Sequence, residues 1–446
     1  MKVGYAQFAF SGEAKVEITA SETVRACDLS PHRAEIGVTI HDRTVSFDLK
    51  KPSKLHLQIN DLPRFFLFAE APESAAPPLA AIDLTTFGVT SSAAEVQTAA
   101  IQRAMDAVAA RKGVLLVPPG IYRTGELRVP SHLTLHLMPG AILKGTGEAG
   151  NHPAGEFGTQ LLYFLDCEGA RLQGGGVIDA QGRALRIAEE NSSASRCKLI
   201  RSVRARDIVV ENVVLRDSGT WAAHLIESEN VRFSGVKLIS NTIQDDPEFP
   251  WEPNTDGFDP DNSSRVRIEN SFISCNDDAI AVKLRHGVRR DMSDIRFTGN
   301  VIYTVKSALK IGTEVHEKRL FNVLFEGNDI IRADRGIALY CNSGASVEDA
   351  RWINNHFQFI GGDSKRMLLE IKVKNEKGKG HVRDLLIRDN TFENPAENAS
   401  LIEGLEPGHE VFGVRFQNLI VGGEKCLSAE AAKVRLSRHA KEVTFE

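Results

Sequence analysis

Three carboxylates stand out by type and spacing. Asp256 lies in Asn254-Thr255-Asp256-Gly257-Phe258-Asp259-Pro260-Asp261, while Asp277 and Asp278 lie in Cys275-Asn276-Asp277-Asp278-Ala279-Ile280-Ala281-Val282-Lys283. Both segments pass from a polar loop through an acid and a small residue into a short apolar strand, and Asp278 follows Asp256 by 22 positions. Carboxylates crowded into one cleft cannot all ionise, so one of them is expected to keep its proton at neutral pH. A protonated acid beside ionised ones suits cleavage of a glycosidic bond, where one group protonates the leaving oxygen and another activates water. That chemistry requires the fold to bring the two segments together.

The surrounding elements repeat. Residues 170–177, 207–215, 231–238, 266–273, 295–302, 323–330 and 385–392 share the pattern apolar-x-apolar-x-Asn/Gly-x-x-apolar, and second strands are expected at 221–226, 278–283, 307–312 and 335–340. Each cycle takes roughly 21 to 37 residues, a period that belongs to solenoids. Short strands separated by Asn- and Gly-containing turns make this solenoid an all-β, right-handed parallel β-helix. Two apolar strands stopped by Pro/Gly turns, within 113–122 and 133–143, begin it. Residues 98–111 place Ile101, Met105, Val108 and Ala109 on one face of a helix, which is expected to cap the open end of the stack.

Aligning the second strands stacks Trp221-Ala-Ala-His-Leu-Ile, Asp256-Gly-Phe-Asp-Pro-Asp, Asp278-Ala-Ile-Ala-Val-Lys, Ser307-Ala-Leu-Lys-Ile-Gly and Arg335-Gly-Ile-Ala-Leu-Tyr. The third column (Ala223, Phe258, Ile280, Leu309, Ile337) and the fifth (Leu225, Pro260, Val282, Ile311, Leu339) are apolar and should fill the core. The fourth (His224, Asp259, Ala281, Lys310, Ala338) should face outward. Asp256 and Asp278 then share the first column, about 4.8 Å apart along the stack, while strand alternation sends Asp277 to the other side of the strand mouth.

The remainder of the chain sets limits. Residues 1–75 hold short strands near 14–19, 35–40, 44–49, 54–59 and 65–68, expected to form a small antiparallel β-sandwich. Residues 76–81 read as a linker, since prolines and small residues give it nothing to bury, and 82–446 as the β-helix domain. In 446 residues, 42% are hydrophobic and 25% charged, values of a soluble globular chain. A net charge of −5 without a basic block argues against a nucleic-acid partner. Six scattered cysteines with no CxxC and no metal-ligand spacing read as buried thiols of a reducing compartment. No apolar run reaches the length of a membrane span, and the first residues lack the apolar core of a signal peptide, so a cytoplasmic location is expected.

Asn254-Thr255-Asp256-Gly257 with Asp277-Asp278 resembles the paired motifs of the polygalacturonases, glycoside hydrolase family 28. Phe87-Gly88 through Ile101, Val117-Pro118-Pro119-Gly120-Ile121-Tyr122 and residues 133–140 are similar to the start of the same β-helix family, so the resemblance covers 82 to about 420. It implies an inverting hydrolase that needs no metal or other cofactor and acts on a carbohydrate. Asp277 would be the general acid, and Asp256 and Asp278 would hold and deprotonate the attacking water. Where the family carries Gly-His-Gly this chain has Lys306-Ser307-Ala308, and where it carries Arg-Ile-Lys this chain has Ala338-Leu339-Tyr340. The helper histidine and the basic pair that grips a galacturonate carboxylate are thus missing from those places. The β-sandwich ahead of a β-helix with three aspartates is also similar, more loosely, to the dextranase and isopullulanase family 49, which acts on neutral α-glucans.

Further substrate-binding candidates are Lys283, Lys310, Glu314, Asp259 and Tyr340. Lys310 would bind a sugar hydroxyl or carboxylate, or else pair with Asp259 or Glu314. Trp221 and His224, one coil below Asp256, offer either an aromatic platform for a sugar or ordinary packing. Lys372 and Lys374 read as part of a solvated strand. Two other classes stay open: a Ca²⁺-dependent polysaccharide lyase, whose acids would ligate the ion, and a non-catalytic glycan-binding β-helix. Sugar and linkage depend on loops such as 244–253 and 286–291.

Overall fold

The computed structural model describes residues 3–72, 80–152, 158–240, 254–285, 290–362 and 364–446. Linker residues 76–79 and loop residues 244–253 and 286–289 lie outside them. The chain divides into two compact units, one built on residues 3–72 and the other beginning at Ala80.

In the first unit, alternation of buried and exposed side chains produces two small sheets. Ala14–Thr19, Thr44–Leu49 and Thr39–His41 make an antiparallel sheet of three strands. Gly4–Ala9, Phe65–Glu70, Ser53–Ile59 and Cys27–Ser30 make one of four. Val45, Phe47 and Leu49 from the first sheet and Leu55, Leu57, Ile59 and Leu67 from the second share one apolar cluster. Two details depart from the expected pattern. Gly4–Ala9 pairs with Phe65–Glu70 in parallel, and the strand expected at 35–40 shrinks to Thr39–His41 behind a 3₁₀ turn at His32–Ala34. Glu35, in the left-handed region at φ 52°, ends that turn and cannot also continue a strand.

The second unit is a parallel β-helix with three strands per coil, one more than the repeat suggested. One coil runs through Ser264–Glu269, Phe272–Cys275 and Ile280–Leu284, one strand in each of three sheets. Among the described residues these sheets hold 13, 13 and 11 strands. The extra corner falls inside the repeat pattern, at its Asn/Gly position. Asn212, Gly235, Asn270, Gly299, Gly327 and Asn354 all have left-handed φ values between 48° and 64°, which Gly and Asn adopt at least cost. One residue later, Asn300, Asn328, Asn355 and Asn390 form a buried ladder, the first three side-chain amides each donating to the next side-chain oxygen at 2.8–2.9 Å. Each also donates to a backbone carbonyl at 2.8–3.0 Å, so the corner's polar groups are satisfied without water.

The predicted register of the third sheet holds. Ala223 pairs with Phe258, Phe258 with Ile280, Ile280 with Leu309 and Leu309 with Ile337. These residues and the fifth column lie inside the core. Farther along, Phe297, Phe325 and Trp352 stack at 5.4 Å between successive rings. The helix Thr98–Ala109 buries Ile101, Ala104, Met105 and Val108 in the same core as Leu115 and Val117 of the following strand. The cysteines are free thiols, five of them buried and Cys27 half-buried. Among the described residues no helix is long and apolar enough to cross a membrane.

Candidate active site

The site forms where the second sheet turns into the third. Asn254 adopts a left-handed φ of 49° and extends its side-chain amide toward a carboxylate oxygen of Asp277 at 3.4 Å. The hydroxyl of Thr255 accepts the Asn276 N–H at 3.2 Å, tying one acid-bearing turn to the next. Gly257 is required by close approach, because a Cβ there would meet the Ala279 carbonyl at 2.4 Å. Its own N–H bonds the Asp278 carbonyl at 2.9 Å. The Asn-Thr-Asp-Gly run is therefore the geometry that sets Asp256 directly beneath Asp278.

One carboxylate oxygen from each of Asp256, Asp277 and Asp278 lies within 4.8 Å of the other two. Asp277 thus joins the cluster, contrary to the expected alternation. The reason is local: residues 276–279 precede the strand that starts at Ile280, so its alternation does not apply. Instead the Asp277 side chain folds back to accept the Asp278 N–H at 2.8 Å. Asp256 and Asp278 are 3% and 4% exposed, while Asp277 is half-buried and reaches solvent.

The three acids differ in proton affinity. Burial, then the neighbouring Asp259, pushes Asp256 well above the usual carboxylate range. Asp277 is also held well above it, by burial and by the charges of Asp256 and Asp278. Burial would raise Asp278 too, but the Lys310 ammonium bonded to it, the Arg335 charge and the Ser307 N–H at 2.9 Å hold it at about 2. At neutral pH the cluster therefore contains one firmly ionised acid beside two that favour their protons.

Cations surround it. Neither of the acids weighed as a partner for Lys310, Asp259 or Glu314, takes it; Lys310 pairs with Asp278, on the strand one rung away. Lys283 lies 3.8 Å from Asp256, 3.6 Å from Asp259 and 3.2 Å from Glu314. Burial would lower Lys283, but these acids together hold it above the usual lysine range. Burial pushes Asp259 up to about 7 against the pull of Lys283 and Lys198. The fourth column does point away from the core, yet His224, Asp259, Ala281, Lys310 and Ala338 are all buried rather than solvated.

Trp221 carries Lys283 over its ring at 4.1 Å, with Lys198 at 5.3 Å and Arg285 at 5.7 Å, and meets His224 edge-on at 4.9 Å. It is a cation-binding ring as much as a platform. His224 bonds the buried Asp261 at 3.1 Å. Tyr340 donates its hydroxyl to Glu370 and lies under Lys372 at 4.8 Å and Lys310 at 5.4 Å. Lys372 pairs with Glu370 at 2.5 Å and so belongs to this cluster instead of a solvated strand.

Four cations escaped sequence reasoning. A cleft of about 390 Å³ is lined by Arg196, Lys198, Arg201 and Arg285 together with Thr220, Trp221, His224, Asn254 and Glu314. Gln160 pairs with Lys198, and Arg201 with His224, so Lys198 and Arg201 continue the first and fourth columns by one coil. Extending the strand alignment down to Lys198-Leu-Ile-Arg-Ser-Val would have exposed them.

Stacked three-stranded coils with an acid cluster on one face define the class, a parallel β-helix of the pectin-lyase-like kind. The chain belongs to Glycosyl hydrolases family 28, whose pattern matches residues 112–394. A probable polygalacturonase of Vitis vinifera is 29% identical over 187 residues, 38% of this chain and 36% of the relative. A polygalacturonase of Ralstonia nicotianae is 23% identical over 286 residues, 51% of this chain and 53% of the relative. The chain thus spans about half or less of the length of these relatives. The crystal structure of a hyperthermoactive exopolygalacturonase from Thermotoga maritima superimposes with a TM-score of 0.63 at 18% identity, covering 83% of this chain and 93% of that one. That likeness concerns the fold.

Proposed function

We propose that this chain hydrolyses a glycosidic bond of a galacturonide-type oligo- or polysaccharide, with Asp277 as general acid, Asp278 as base and Asp256 positioning the water. The observation that carries the reading is the cluster of three carboxylates, one oxygen of each within 4.8 Å of the other two, in surroundings that oppose their proton affinities. Asp278, held near 2, accepts a proton, whereas Asp277, raised and open to solvent, donates one. This refines the roles implied by resemblance, because Asp256 favours its proton and serves better as a hydrogen-bonding partner of water than as a base.

Inversion is part of the proposal and rests on the family. Two-carboxylate inverting sites space their acids about 6.5–9.5 Å apart, whereas here one oxygen of each acid lies within 4.8 Å of the other two. With three acids, the water is held by Asp256 and Asp278 together, so no single pair has to span it. Proton NMR of freshly released product decides: an anomer opposite to that of the cleaved bond supports inversion, and a retained one refutes it.

The lyase reading fits less well. Three aspartates suit Ca²⁺, but Lys310 already neutralises Asp278 and Lys283 stands 3.8 Å from Asp256, where each would repel the ion. The test is a product assay on oligogalacturonides and neutral α-glucans, with Asp277→Asn as control. Hydrolytic products, unaffected by chelator and reduced about 10²-fold or more in the variant, are expected. An unsaturated, ultraviolet-absorbing product that disappears with chelator overturns the reading.

A further inference from the structure

We infer that Lys198 and Arg201, on the coil preceding Trp221, form the recognition site for the carboxylate of a uronic-acid residue bound beside the cleavage point, a role resting on the glycosidase reading above. Both sit on strand Lys198–Val203 of the third sheet, the sheet that also carries Asp259, Lys283 and Lys310. Lys198 is 9% exposed and Arg201 1% exposed. Among the described residues no ion pair or side-chain hydrogen bond holds either one: Lys198 lies over the Trp221 ring at 5.3 Å and feels Asp259 and Asp256 only beyond contact distance, and the buried Arg201 Nε is unpaired.

A buried cation without a partner is expensive, and neighbouring cations raise the cost further. Burial together with Arg201 lowers Lys198 to about 7, and burial lowers Arg201 to about 10. Elsewhere on this face the cations have acids to meet: Lys283 has Asp256, Asp259 and Glu314, and Lys310 has Asp278. Lys198 and Arg201 instead border the cleft shared with Trp221, His224, Thr220 and Asn254. An anion entering there would relieve both charges, and a guanidinium beside an ammonium is suited to a planar carboxylate.

The position agrees with a substrate lying along the stack. Lys198 is two rungs below Asp256, roughly 10 Å at about 4.8 Å per rung, the span of a sugar ring or two. Trp221 occupies the rung between them. The basic pair that family resemblance places in later coils is absent at Ala338-Leu339-Tyr340, so acidic-sugar recognition is displaced to the opposite side of the aspartates.

The test compares kcat/KM on a galacturonate oligomer, on the same oligomer with its carboxyl groups reduced, and on a sulfated neutral oligomer. Enzymes are the full chain, Lys198→Met, Arg201→Gln and the charge-preserving Lys198→Arg. The uronide-to-reduced preference is expected to fall about 10- to 100-fold in each neutralised variant, mainly through KM, and to survive largely in Lys198→Arg. A preference within about twofold of wild type in Lys198→Met and Arg201→Gln overturns the assignment. Equal use of sulfated and uronate oligomers overturns it as well, since the site would then read anionic charge alone. Should Arg201→Gln fail to fold, Arg201→Lys retains the charge but loses the planar fork, and the assignment requires its preference to drop. Calorimetric titration of Asp277→Asn with the uronide separates the two readings. If no glycan is ever hydrolysed, yet that binding is present and weakens in Asp277→Asn/Arg201→Gln, the hydrolase reading fails and the carboxylate site stands.

Discussion

Replacing Lys310 with Met tests the electrostatic design of the site. The Lys310 ammonium bonds the Asp278 carboxylate and is the largest influence keeping it ionised; burial acts in the opposite direction. Held at about 2 instead of the ordinary 3.8, ionised Asp278 is favoured by about 2 kcal/mol. An opposite charge in contact accounts for about 1–3 pH units. In Lys310→Met the charges of Arg335 and Lys283 and the Ser307 N–H remain to oppose burial, so Asp278 should rise to about 3–5. The base must be ionised to accept a proton, so activity is lost as pH falls through its folded value. The acid limb of kcat/KM should therefore move upward by about one to three pH units, with Lys310→Arg keeping it low. The sign for stability follows from the same shift. A depressed carboxylate contributes fully above its unfolded value of 3.8 and loses that contribution as pH falls through about 2. Initial rates of reducing-end release between pH 3 and 8, with circular dichroism at each pH to exclude unfolding, provide the assay. An acid limb that does not move in folded Lys310→Met would refute the assignment of Asp278 as base or of Lys310 as the group that holds it ionised.

Two further outcomes follow from the packing. Lys283→Met leaves Asp256 and Asp259 buried beside each other without their cation, which should cost about 3–5 kcal/mol in urea unfolding at pH 7. Because both acids are raised in the folded state, part of that loss should return as pH falls toward 5, and adding Asp259→Asn should restore more; a pH-independent loss argues against the mutual repulsion. Asn328→Ala removes a rung from the corner ladder, including its bonds to the Phe297 carbonyl and to Asn355, and strands the Asn300 N–H. A loss of about 2–4 kcal/mol in unfolding free energy is expected, and a loss below about 0.5 kcal/mol means that the ladder is redundant.

Much of the fold was legible because its determinants are local and repeated. The period-2 apolar columns at Phe258, Ile280 and Leu309 leave only one register in which every coil buries the same face, so the stacking of Asp256 beneath Asp278 follows from the sequence. The Asn and Gly positions were visible too, although as marks of a repeat. That they are left-handed corners, and hence that each coil has three strands, depends on backbone geometry that composition does not specify.

The coil repeat, the shared column of Asp256 and Asp278 and the apolar interior are written along the chain, because each depends on alternation over a few residues. The charge pairing is not. Asp277 turns into the cluster because its side chain accepts the next N–H at a turn, where strand alternation has no force. Lys310 meets Asp278 from 32 residues away in the chain, and Lys283 meets Asp256, Asp259 and Glu314, because long side chains reach across rungs to carboxylates that coil stacking brings within range. Lys198 and Arg201 enter the same cleft by coil stacking alone. Proton affinities depend on burial and on charges brought together in space, and those exist only once the coils are stacked.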